Sequence, residues 1–223
     1  MLGIIDLDAH RAKRDPLGDT GQDQSTYRTK GIYAGSRLAT AKGWRRASEI
    51  AVGDLVLTFD NGMQPVVAVT RTAVLAGRHL PEAALPVHVP AGALGNQTEM
   101  ELAPGQSVMV ESDAAERLFG DPFAVLKARD LVGFAGIGRS DGPAVSEVVT
   151  VHFAQDEVVH LDGGALVVAP SDVPGETTLA FLSATRQPAL YATYTGEDAR
   201  LLVAAMTRDT DLRGVGGPMR SAA

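Results

Sequence analysis

The side chains able to do chemistry are few, and they fall into small groups. His152 is followed by Asp156 and Glu157, which puts one imidazole and two carboxylates at the end of an apolar strand. Such a set can exchange protons or hold a metal ion weakly, and it equally describes a solvated strand edge, the commoner arrangement. His88 and His160 alternate with apolar neighbours and read as outward-facing strand residues rather than zinc ligands. Glu111, Ser112, Asp113 and Glu116 form the densest acidic group. It is expected to cap a short helix first and to bind a cation second, with Asp113 as the N-cap. Gly105-Gln106-Ser107 lacks the strand, Gly-x-Ser-x-Gly and helix context of a nucleophile elbow. Gly136-Ile137-Gly138 is followed by no helix start and no phosphate-binding lysine, so it reads as a surface loop. The sequence has no cysteine, which excludes thiol nucleophiles, disulfides and zinc–thiolate sites. No metal and no cofactor are expected.

Positioning these groups falls to β structure. Apolar residues make up 45% of the 223 and aromatics only 5%, so the core must be built from Val, Leu and Ala. The central stretch is Gly31 to Arg71. Arg37–Thr40 alternates as a strand, Lys42-Gly43 turns the chain, and Ala47–Ile50 makes one helical turn. Asp54–Thr58 and Pro65–Arg71 follow as strands joined through Asp60-Asn61-Gly62, where an Asn-Gly pair predicts a type I′ turn with positive φ at both residues. Trp44, the only tryptophan, is expected to plug the core beneath this unit. Thr72–Glu82 reads as a loop. Strands are expected at Leu85–Val89, Met100–Leu102, Ser107–Glu111, Val145–Phe153, Glu157–Leu161 and Ala165–Ala169, with short helices at Asp113–Phe119 and Glu197–Met206. An internal echo runs through the chain: Ala47-Ser48-Glu49-Ile50 before Val52-Gly53 is matched by Ala128-Arg129-Asp130-Leu131 before Val132-Gly133. It suggests two similar lobes.

The formal net charge of −7 supplies no Lys/Arg stripe for phosphate contacts, so no nucleic-acid partner is expected. Arg11-Ala12-Lys13-Arg14 is read as a solvated part of a polar leader over residues 1–30, expected to be disordered apart from a minor chance of pinning by Leu2, Ile4 and Ile5. Residues 207–223 are expected to fray. The opening Met1–Ile5 is too short for a signal peptide, and no run approaches the roughly 20 apolar residues of a membrane helix. No membrane association is expected, and the cytoplasm is the expected location, with leaderless secretion left open.

Gly35-Ser36-Arg37-Leu38-Ala39-Thr40, Gly43-Trp44, Val52-Gly53-Asp54-Leu55-Val56-Leu57-Thr58 and Asp60-Asn61-Gly62 resemble the opening of a bacterial Hint domain, the fold shared by hedgehog autoprocessing regions and inteins. Pro90–Asn96, Leu118–Asp121, Val151–Phe153, Glu157–Val159 and Ala199–Leu202 extend the likeness over residues 31–206. The resemblance implies an all-β fold of two β lobes related by a pseudo-two-fold axis, with a short C-terminal helix. It also implies an activity. A Cys or Ser at the first residue attacks the preceding carbonyl in an acyl shift, and a histidine in a Thr-x-x-His-like strand protonates the leaving nitrogen.

Placed on this sequence, the nucleophile position falls on Gly31 and the histidine position on Gln106. A further family histidine position reads Gln155-Asp156-Glu157. Glycine has no nucleophile, and glutamine can donate a hydrogen bond but shuttles no proton. The expectation is a stand-alone Hint-like domain inactive in self-cleavage and kept as an interaction or scaffold module for a protein partner the sequence does not name. Two alternatives stand beside it: autoprocessing by an unorthodox hydroxyl such as Ser36 or Thr29, and a cleft adapted to a small ligand or metal with His152, Asp156 and Glu157 as its polar groups.

Overall fold

The computed structural model describes residues 30–75, 82–140, 145–171 and 191–215. The leader, apart from Lys30, and the end of the tail lie outside the described residues. Among the described residues, strands run in chain order: β1 Ile32–Tyr33, β2 Arg37–Thr40, β3 Gly43–Arg46, β4 Leu55–Thr58, β5 Gly62–Pro65, β6 Ala68–Leu75 and β7 Val87–Val89. They continue as β8 Met100–Leu102, β9 Ser107–Glu111, β10 Phe123–Lys127, β11 Gly138–Arg139, β12 Val145–His152, β13 Glu157–Leu161 and β14 Ala165–Ala169. Helix α1 spans Asp113–Phe119 and α2 Gly196–Val215.

These strands form three sheets. An eight-stranded sheet has the order β10-β9-β14-β13-β2-β4-β5, with β3 paired to β2; the others are β1-β12-β6 and β11-β7-β8. Every named pairing is antiparallel. The expected echo is present as two hairpins, β2–β3 and β9–β10, each running into a short 3-10 turn, Ala47–Glu49 and Ala128–Leu131. Strict alternation drives the burial. In β14, Ala165, Val167 and Ala169 are buried while Leu166 and Val168 are only half-buried. The main core gathers Leu38, Ile50, Leu102, Leu126, Leu131, Phe153 and Leu161, and α2 contributes Ala199, Leu202 and Met206. Burying one such leucine side chain stabilises the fold by roughly 1.5–3 kcal/mol.

The structure departs from the sequence reading at several points. The Phe59–Asn61 loop does not make a type I′ turn: only Gly62 has positive φ (64°), and Asn61 is not left-handed. Asn61 instead sends its side-chain amide to Glu157. Strand β6 runs on to Leu75, through residues expected to be loop, because β12 offers a full-length partner. Strands β3 and β10 were not anticipated. Helix α1 is capped by the Ser112 hydroxyl, which accepts from Ala114 N–H, so the N-cap lies one residue earlier than expected. Helix α2 continues past Met206 into the region expected to fray.

Trp44 does not plug the core. It stands on edge strand β3 and is 47% exposed. Urea unfolding should therefore separate two leucine- and tryptophan-truncating variants clearly. Leu38→Ala, in the sealed core, is expected to cost about 2–5 kcal/mol. Trp44→Ala should cost less than about 1 kcal/mol, and a loss comparable to that of Leu38→Ala would restore the core-plug reading.

Candidate functional site

The site is built where strand β1 enters the fold. Gly31 is buried ahead of β1, with φ of +124°, a conformation L side chains rarely adopt. Its N–H donates to Gln106 Oε1 at 3.0 Å, a buried bond between residues 75 apart in sequence. Gln106 is 4% exposed, and its Nε2 donates to Ser107 O at 3.0 Å and to Val168 O at 2.9 Å. These partners fix the amide's orientation. Turning it over would point NH2 at an N–H and its oxygen at two carbonyls. Gln106 therefore meets the nitrogen of the Lys30–Gly31 peptide as an acceptor.

Space around Gly31 is closed. A Cβ there would lie 3.0 Å from Thr150 Oγ1 and 3.2 Å from the Val149 carbonyl oxygen. Thr150 is on β12 directly opposite Thr70 of β6, and period-two alternation puts His152 on the same face. The Thr70 hydroxyl lies 3.2 Å from His152 Nε2. His152 is 3% exposed, and its Nδ1 is buried with no partner. The Val-Thr-Val-His alternation over residues 149–152 carried the signal for this row, but nothing in the sequence placed Gly31 against it.

The other anticipated residues have separate surroundings. Asp156 is exposed and accepts from Ser171 N and Oγ, both at 2.8 Å. Glu157 is buried and accepts from Asn61 Nδ2, at 3.2 Å and 3.0 Å to its two oxygens, and from Gln155 Nε2 at 3.0 Å. No hydrogen bond or ion pair joins His152, Asp156 and Glu157. Among the described residues, no three His, Asp or Glu side chains gather as metal ligands. Ser36 belongs to a turn closed by its N–H donating to Tyr33 O, and its carbonyl accepts from Ala47 N–H. Thr29 lies outside the described residues. His88 lies opposite Glu101 in the β7–β8 pair. No described helix is long and apolar enough to cross a membrane.

The model of the Hint domain family matches residues 31–166, more than half of the chain, and the chain belongs to that family. Among solved structures, a variant of the MchDnaB-1 intein is similar at 18% identity and a TM-score of 0.41, covering 62% of this chain and 98% of the intein. A bacterial intein-like domain from Clostridium thermocellum is similar at 17% identity and a TM-score of 0.41, covering 62% and 98%. The gp41-1 intein matches at 11% identity and a TM-score of 0.39, covering 63% and 97%. No curated protein matches the chain significantly.

Two measurements check the geometry. Gly31→Ala should lower stability by about 1–3 kcal/mol, from backbone strain and the crowded Cβ. Thr150→Ala in the same chain should return part of that loss, so a strictly additive double mutant would contradict the crowding. Separately, His160 is half-buried with its ring 6.3 Å from Phe59, and burial pushes its imidazole below the ordinary 6.5. The unfolded chain then takes up the proton first as pH falls. His160 should erode stability as pH falls through the ordinary histidine value of 6.5 toward its lower folded-state value, and His160→Phe should flatten that part of the pH–stability curve.

Proposed function

We propose that this Hint domain does not cut its own backbone and serves as a folded interaction module. The hydrogen bond from Gly31 N–H to Gln106 Oε1 carries this reading. Acyl shift at a peptide bond needs a nucleophile on the residue after the bond and a proton delivered to the departing nitrogen. The resemblance gives those two roles to the positions of Gly31 and Gln106, and the family match begins at Gly31. Gly31 has no attacking atom. Gln106 Oε1 accepts the amide proton at 3.0 Å, which stabilises the planar ground-state amide and offers its nitrogen nothing. The space for a nucleophilic side chain is also taken, in part by the Thr150 hydroxyl.

Freed from cleavage, the fold offers a rigid β scaffold with outward-facing sheet surface. The partner we infer is a protein, since a chain of net charge −7 gives no extended cationic track for nucleic acid. Incubation of the purified full chain with dithiothreitol or hydroxylamine should leave its intact mass unchanged. A shortened chain beginning at Gly31 would overturn the proposal, because both reagents trap acyl intermediates at that bond.

A further inference from the structure

The outer face of the eight-stranded sheet has a second apolar cluster over β9, β10, β13 and β14, where Met109, Val125 and Val158 are buried and Tyr191 packs on them, whereas over β2 to β5 it carries apolar side chains that no described segment covers. Trp44 of β3 pairs with Ala39 of β2, and Leu57 of β4 pairs with Met63 of β5. The Thr40–Val56 pairing brings Ala39 beside Leu57, so these four residues form one row across four strands. Leu55 flanks the row on β4, opposite Pro65, and Phe59, just past the other end of that strand, packs edge-on against Phe123 of the second cluster. Exposure is 47% at Trp44, 43% at Leu55 and Met63, and 38% at Phe59. The inward face of the same strands is occupied normally, by Leu38, Thr40, Val56 and Thr58. Trp44, Leu55, Leu57 and Met63 belong to neither apolar cluster of the fold.

Two cations stand at one end of this belt. Arg37 and Arg46 are directly opposite each other on β2 and β3, on the face that carries Ala39 and Trp44. Like charges directly opposite on a sheet are destabilising. Arg37 has only a long contact to Asp162, 3.8 Å, and remains 54% exposed; Arg46 is exposed and pairs with no described residue. Trp, Phe, Met and Arg are the residue types enriched at protein interfaces, and Trp and Arg dominate binding hot spots. A belt of that composition ending in two facing arginines, one paired to Asp162 and the other without a partner among the described residues, is complementary to a surface that is apolar in its middle and negative at its edge.

We infer that this face is the docking surface for an acidic, amphipathic segment of a partner protein. Its apolar side chains cover Trp44, Leu57 and Met63, and its carboxylates pair with Arg37 and Arg46. The inference rests on the interaction-module reading and specifies its surface and partner chemistry.

Trp44 is the sole tryptophan and lies within the belt, so its emission reports occupancy directly. The full chain would be titrated with a synthetic helical peptide bearing Leu and Phe on one face and Glu on the other. A twin peptide with Lys for Glu is the control. The expected result is a saturable blue shift with the acidic peptide, weakened by added salt, and little response to the lysine twin. Arg37→Glu with Arg46→Glu should weaken the acidic peptide by at least about tenfold. Arg46→Glu alone breaks no described hydrogen bond and should weaken it in the same direction if the double variant folds poorly. Equal response to both peptides, no response to the acidic one, affinity unchanged in Arg46→Glu, or a matching shift with anionic phospholipid vesicles or oligothymidylate would overturn the inference. If the acidic peptide fails while the chain's mass stays intact, the docking surface is wrong and the non-cleaving reading is untouched.

Discussion

One buried side-chain amide ties two of the three sheets of the described residues together. Gln106 accepts from Gly31 at the head of β1 and donates to Val168 of β14, so a single glutamine links the β1-β12-β6 sheet to the eight-stranded sheet. Its third bond, to Ser107 O, fixes the amide against its own strand. A buried polar group left without a partner costs about 1–3 kcal/mol, and the Gly31 N–H would face that cost without the Gln106 oxygen. The entry of the chain into the fold thus depends on a residue that must be a double donor and an acceptor at once. Glutamine meets that demand in one fixed orientation.

The same arrangement determines what the peptide bond at Lys30–Gly31 can do. An acceptor on its N–H and a crowded, left-handed glycine after it favour an intact amide. Thr150, Thr70 and His152 lie alongside, but the hydroxyl–imidazole contact there is made to Thr70, not to the peptide. On the non-cleaving reading proposed above, the site's polar groups hold the backbone still. The docking face inferred above is then where exposed Trp44 and Met63 lie beside two facing arginines.

Much of this was legible in the sequence, for reasons that differ by residue. Short alternating runs such as Glu157–Leu161 and Ala165–Ala169 gave their strands away because period two is a local property. Asn61-Gly62 marked the hairpin correctly, yet the asparagine is there for its side-chain bonds to Glu157, a contact between residues 96 apart that no local signal encodes. Trp44 was misplaced because size and hydrophobicity suggest burial, whereas a residue on an edge strand can face outward at little cost. His152 read first as part of a solvated strand edge, yet it lies in the interior. Gly31 and Gln106 stood out only through the family resemblance, and their direct bond is a product of the tertiary fold.

Amide hydrogen exchange at Gly31 in the full chain reads the buried bond to Gln106 itself. This amide should exchange only through global opening, as slowly as core amides of β12, and Gln106→Ala should release it while β12 stays protected. Exchange of Gly31 at the rate of an unstructured chain in the unmodified protein would contradict that bond.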